Sequence, residues 1–180
     1  KSNIKQEFKF IDLFAGIGGF RSALTYLGGK CVFSNEWDKY AAETYKNWYL
    51  ENNISTEDIR LYDYKKIQDH DILCAGFPCQ PFSLAGVSKK QSLGRKHGFE
   101  DEAQGNLFFT IRDIAKVKRP KVLFLENVKN LKSHDSKRTF QTIEEEIQKL
   151  DYKLFYEIIS SKTVVPQNRQ RIFMVAFDTK

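Results

Sequence analysis

What most constrains this chain is the way short apolar runs alternate with longer stretches of helical period. Phe8 to Phe14, Cys31 to Asn35, Asp71 to Gly76, Val122 to Glu126, Lys153 to Ile159 and Arg171 to Phe177 read as strands. Between them Leu107, Phe108, Ile111, Ile114 and Ala115 recur at helical spacing, as do Phe140, Ile143, Ile147 and Leu150. Two further helices are expected over Phe20 to Leu27 and Lys39 to Tyr49, and all these apolar stripes read as faces that pack on a core. Parallel strands joined by helical crossovers account for this order, so an α/β fold around a mostly parallel sheet is expected.

With 180 residues, 41% of them hydrophobic, the chain can bury one sizeable core and hardly two, so a single domain over 1–180 is expected. Cys31, Cys74 and Cys79 are odd in number and lack the paired short spacings of a zinc site. No disulfide framework and no metal centre is therefore expected, and a reducing, cytoplasmic setting is the default. No apolar run approaches the roughly 18 residues that span a bilayer, and the N-terminus lacks a signal-peptide stretch, so no membrane association is expected. The single methionine is Met174, so Lys1 is not expected to be a translation start.

The net charge of +6 permits a polyanionic partner without proving one. Lysines and arginines number 12 against 11 acidic residues up to position 90 and 17 against 12 beyond it, which puts the basic excess in the second half. From Gln80 to Gln104 no period is sustained, and Pro81, Gly86, Gly94 and Gly98 mix with Lys89, Lys90, Arg95 and Lys96. A loop longer than about 12 to 15 residues inside a compact domain is usually functional or disordered. This one follows a strand end, where ligands of open α/β sheets bind, so it is expected to border a site.

Ile11-Asp12-Leu13-Phe14-Ala15-Gly16-Ile17-Gly18-Gly19-Phe20 carries a strand into a glycine-rich turn and then a helix. Glycines let backbone approach a ligand, and a helix start offers unpaired N–H groups. Glu36, at the end of the second strand, is placed to accept the hydroxyls of a ribose. The turn is shorter than the G-x-G-x-x-G of a pyrophosphate site and suits a nucleoside without phosphates, such as S-adenosylmethionine. A nicotinamide dehydrogenase is disfavoured on the same ground. Trp37 could lie against an adenine or simply pack on the sheet, and Asp58 could hold the adenine amino group or remain an exposed loop carboxylate.

Pro78 and Pro81 fix the backbone on both sides of Cys79 at the end of the Asp71 to Gly76 strand, a restraint that a packing cysteine does not need. Cys31 and Cys74, inside strand runs, read as structural. Glu126 ends the apolar run Val122 to Glu126, where an ionised carboxylate calls for protonation or a tight partner, one route to a general acid at neutral pH. In Gln167-Asn168-Arg169-Gln170-Arg171 strand alternation would point Arg169 and Arg171 to one face, as a phosphate or carbonyl clamp or as a solvated edge.

Taken together, these blocks resemble the cytosine-5 DNA methyltransferase family. Phe14 to Gly19, Glu36, Pro78-Cys79-Gln80, Glu126-Asn127-Val128 and Gln167 to Arg171 occur in the family's order, and Gly98-Phe99-Glu100-Asp101 with Gly105-Asn106-Leu107-Phe108-Phe109 looks like a further cofactor block. The likeness covers the chain from Phe8 to Phe177. It implies a Rossmann-like S-adenosylmethionine-dependent methyltransferase fold whose mostly parallel sheet ends in an antiparallel hairpin. It implies methylation of carbon-5 of a flipped cytosine in double-stranded DNA through a covalent adduct on Cys79, with Glu126 acting at ring N3 and Arg169 at the carbonyl. Arg171 and Asn127 would support the site. Phe14, Ala15, Gly16, Ile17, Gly18, Gly19, Glu36, Trp37, Asp58, Ile59, Pro78 and Leu107 would meet S-adenosylmethionine, and the Gln80 to Gln104 loop would close over DNA. For a bacterial member a restriction-modification setting is plausible.

Two departures stand out. Val164 replaces the glycine usual two residues before Pro166, which puts the approach of that loop in question. The family's target-recognition region and closing blocks do not occur in these residues, so a second polypeptide supplying them, or a longer parent chain, is expected. An RNA cytosine methyltransferase resembling the family's tRNA-modifying branch and a noncatalytic interaction protein of the same fold remain the alternatives.

Overall fold

The computed structural model describes residues 7–50, 54–78, 107–133 and 137–180. The six strands are β1 (Lys9–Leu13), β2 (Lys30–Asn35), β3 (Ile72–Gly76), β4 (Val122–Val128), β5 (Tyr152–Ser160) and β6 (Gln170–Asp178). They form one sheet in the order β2-β1-β3-β4-β6-β5. The helices are α1 (Gly19–Tyr26), α2 (Lys39–Tyr49), α3 (Leu107–Lys118) and α4 (Arg138–Lys149). The α/β expectation holds, as does the terminal hairpin: β2, β1, β3 and β4 are parallel, and β6 runs antiparallel to both β4 and β5.

Strand burial follows position in the sheet. In central β1 Phe10, Ile11, Asp12 and Leu13 are all buried, whereas edge strand β5 is exposed over much of its length. On one face Ile11, Leu13, Leu73, Leu125, Ile172 and Met174 pack with Ile111 and Ile114 of α3 and Ile143 and Ile147 of α4. Each such aliphatic side chain contributes about 1.5–3 kcal/mol when fully buried. On the other face Leu24 of α1 meets Phe10 and Cys74, and α2 packs through Ala42 and Tyr45 on Ala15 and Ile54. Among the described residues no helix is long and apolar enough to cross a membrane.

Two boundaries differ from the sequence reading. Phe14 leaves β1 with a φ of 54°, because the chain turns there into the glycine segment. β4 runs on to Val128, because antiparallel pairing with β6 continues through Asn127 opposite Ile172 and Val128 opposite Arg171. Glu126 therefore lies inside the strand rather than at its end. The same reversal of β6 brings the start of the last strand to the edge where the parallel strands finish.

Candidate active site

The C-terminal edge of the parallel strands carries two neighbouring concavities. The first, about 200 Å³, is lined by Phe14, Asn35, Glu36, Trp37, Asp58, Ile59, Arg60 and Leu107. Six of these are residues expected to meet a cofactor. The glycine turn lies beside it: Glu36 Oε2 accepts the Gly16 N–H at 2.7 Å, and Oε1 accepts the Asp38 N–H at 2.8 Å. Each oxygen keeps a further lone pair, which is what a ribose diol requires. A Cβ at Gly16 or Gly19 would meet nothing within 4 Å, so the turn presents open backbone. Ile17 is exposed at the turn's tip and Pro78 at the end of the segment leaving β3.

Two lining residues were not anticipated. Asn35, buried at the end of β2, donates its side-chain amide to the carbonyls of Ser55 and Glu57 at 3.2 and 2.9 Å, which fixes the segment leading to Asp58. A polar residue closing an apolar strand was the available signal. Arg60 grips Asp58, its Nη2 2.6 Å from Oδ2 and its Nε 2.9 Å from Oδ1, and lies 5.9 Å from the centre of the Trp37 ring. These hydrogen bonds hold the Asp58 carboxyl below its usual value. Trp37 is itself 62% exposed, so it stands at the rim instead of packing on the sheet.

The second concavity, about 420 Å³, is lined by Val128, Lys129, Asn130 and the Gln167 to Arg171 block. At its inner end Arg171 Nε lies 2.9 Å and Arg169 Nη2 3.7 Å from Glu126 Oε1, so both arginines do share a face. The tight partner that a carboxylate here calls for is thus Arg171. Glu126 stands opposite Gly76 in the β3–β4 ladder, where a Cβ would come 3.5 Å from Oε2. That oxygen therefore faces bare backbone between the two concavities.

The loop carrying Arg169 is closed by Ser161, whose hydroxyl donates to the Gln167 carbonyl at 2.5 Å and accepts the Arg169 N–H at 3.0 Å. Val164 has a φ of −127°, outside the left-handed region that favours glycine, so this loop closes without a glycine there. Asn127 is buried and donates its amide to the Phe77 carbonyl. Burial pushes the thiols of Cys31 and Cys74 up, away from the reactive thiolate, in line with their structural reading. Cys79, the Gln80 to Gln104 loop and the Gly98 to Asn106 part of the further cofactor block lie outside the described residues.

Comparison with known proteins points to one family for the chain. The model of the C-5 cytosine-specific DNA methylase family matches residues 8–180. A DNA-cytosine methyltransferase of Escherichia coli K12 is 45% identical over 198 residues, covering 94% of this chain and 42% of that protein. The type II methyltransferase M.HhaI of Haemophilus parahaemolyticus is 48% identical over 170 residues, covering 94% of this chain and 49% of that protein. The chain thus spans about half the length of the curated relatives it matches. Among solved structures, a mutant of Spodoptera frugiperda DNMT2 superposes with a TM-score of 0.72 at 22% identity, over 96% of this chain and 50% of that one. Entamoeba histolytica EhMeth does so with a TM-score of 0.72 at 22% identity, over 97% and 54%. These two likenesses establish the fold, and the family match over nearly the full length establishes more: the chain belongs to the C-5 cytosine-specific DNA methylase family.

Proposed function

We propose that residues 1–180 form the catalytic and cofactor-binding domain of a DNA cytosine-5 methyltransferase. The observation that carries this reading is the meeting of Glu126 with Arg171 and Arg169 at the strand edge, beside the Phe77-Pro78 segment that leads to Cys79.

In this reading the cavity beside the glycine turn takes S-adenosylmethionine. Its lining fits such a group: apolar Phe14, Ile59 and Leu107 with aromatic Trp37 for a base, Glu36 for ribose hydroxyls, Asp58 for an amino group, and the open backbone at Gly16 and Gly19 for an amino-acid tail. When bound, S-adenosylmethionine supplies an electrophilic methyl group. Cys79, as thiolate, adds to carbon-6 of a cytosine turned out of the duplex, which makes carbon-5 nucleophilic. Glu126 hydrogen-bonds ring N3 and passes it a proton as negative charge develops, and Arg169 contacts the cytosine carbonyl. Arg171 holds Glu126 from behind, and Asn127 holds the approach to Cys79. After methyl transfer the carbon-5 proton is lost to a solvent base, the Cys79–carbon-6 bond breaks with the thiolate leaving, and the N3 proton returns to Glu126.

Recognition of a DNA sequence would come from the half of such a protein not spanned here, whether on a longer chain or on a second polypeptide. The Type II names of several relatives support a restriction-modification setting. The test is methyl transfer to duplex DNA and to tRNA by the protein together with that other half. Cys79→Ser should abolish transfer to DNA. Equal transfer by wild type and variant would remove Cys79 as the nucleophile, and transfer to tRNA alone would replace the DNA reading.

A further inference from the structure

The glycine turn is held from beneath by a side chain outside every motif. Tyr49, the last residue of α2, lies against Gly18 so closely that a Cβ there would stand 2.6 Å from the tyrosine oxygen. The hydroxyl of Tyr49 donates to the Gly18 carbonyl at 2.6 Å, the same oxygen that accepts the Ser22 N–H at 2.9 Å in the first turn of α1. Tyr49 has one hydroxyl proton, so the 2.8 Å contact between its oxygen and Ser22 Oγ runs with Ser22 as donor. The ring is backed by the buried Arg21, whose guanidinium carbon lies 5.3 Å from its centre. Gly18 has a φ of 92° and caps α1 with no side-chain hydrogen bond of its own, so its carbonyl is held by Tyr49 from another helix.

We propose that Tyr49 is a positioning residue for the cofactor turn: by fixing the Gly18 carbonyl it sets the orientation in which Gly16 to Gly19 present their backbone to the ligand. This rests on the cofactor reading of the neighbouring cavity. Because Tyr49 lines neither concavity and acts through the Gly18 carbonyl, its loss is felt in cofactor affinity and not in the chemical step.

The test uses the complete protein and Tyr49→Phe, which keeps the ring and removes one hydroxyl. KM for S-adenosylmethionine, and Kd for S-adenosylhomocysteine by calorimetry, should rise about fivefold, the effect of one lost hydrogen bond. At saturating cofactor kcat should stay within about twofold, and KM for DNA should not move. Ser22→Ala, which removes the donor to Tyr49, should give a smaller rise of the same kind. A lowered melting temperature with unchanged KM and Kd would make Tyr49 a purely structural residue and overturn the proposal, as would a fall in kcat at unchanged KM. Failure of the wild-type protein to bind S-adenosylhomocysteine would instead overturn the cofactor reading.

Discussion

Asn127 reaches from β4 to Phe77, its Nδ2 donating to the Phe77 carbonyl at 2.9 Å while its own Oδ1 accepts the Val128 N–H at 2.8 Å. One group of this buried amide ties the strand bearing Glu126 to the segment that enters Pro78, and the other fixes the side chain to its own strand. The strand that carries Glu126, the proposed acid, and the segment that precedes Cys79, the proposed nucleophile, thus share a direct hydrogen bond.

Removing that support should cost both stability and rate. Asn127→Ala leaves a buried carbonyl without its donor, a loss of about 1–3 kcal/mol in urea unfolding. If Asn127 orients the approach to Cys79, kcat should fall more than KM for either substrate changes. Unfolding and steady-state kinetics on the same preparation check this, and a variant as stable and as active as wild type would refute it.

Glu126→Gln keeps the shape and removes the proton donor, and kcat should fall about 10²–10⁴-fold, the usual contribution of a general acid. Arg171→Lys should also be costly although it keeps the charge, because the contact to Oε1 is made by Nε, which lysine cannot reproduce. Single-turnover methyl transfer measures both, and full activity of Arg171→Lys would mean that the pairing is incidental.

The two left-handed glycines of the turn, Gly16 and Gly18, should respond differently to alanine. Gly16 has φ 55° and open space around it, so Gly16→Ala should cost mainly backbone strain, about 1–2 kcal/mol. Gly18 has φ 92° and Tyr49 against it, so Gly18→Ala must displace the ring as well. Cofactor titration and thermal melts should show the second variant clearly worse than the first.

Asp12 is wholly buried in β1, and the group set against its carboxyl is Arg21 of α1, through its backbone N–H and its charge. Burial pushes it from 3.8 up to about 8, with Arg21 of α1 working in the opposite direction and Glu36 adding slightly to the rise. Cys31 of β2, Tyr45 of α2 and Cys74 of β3 are the other titratable groups coupled to it. The folded state therefore holds a proton that the unfolded chain releases above about pH 4. Asp12's contribution to stability falls as pH rises from about 4 to about 8 and levels off beyond. Asp12→Asn should be more stable than wild type near pH 8 and no different below pH 4, as read by denaturant unfolding across that range. A difference between the two that is independent of pH would refute the assignment.

Much of this was legible because its signals are local. Alternation between apolar runs and helical stretches located the six strands and four helices found among the described residues, and the glycine turn, Glu36 and the Arg169–Arg171 pair lay where a strand meets a loop. What the sequence did not disclose depends on partners far along the chain. The extension of β4 through Val128 comes from pairing with Arg171, and Asn35 acts on carbonyls 20 and 22 residues away. Tyr49 looked like an ordinary helix terminus, since its partner at Gly18 is 31 residues distant. Cys79, the residue that carries most of the proposed chemistry, was read from its flanking prolines and its motif, and its surroundings lie outside the described residues.

The place of β6 has a consequence for how the molecule is made. It is the last of the six strands to be synthesised, yet it belongs between β4 and β5, both of which precede it. Until it arrives, β4 exposes an open edge to solvent and β5 has no partner, so pairing on that side of the sheet must wait for residues far down the chain. The strand that closes the sheet is also the one that delivers Arg171 to Glu126. A nascent or truncated chain lacking it would therefore be aggregation-prone and would lack the arginine support of its acid, which couples assembly of the domain to completion of its charged pocket.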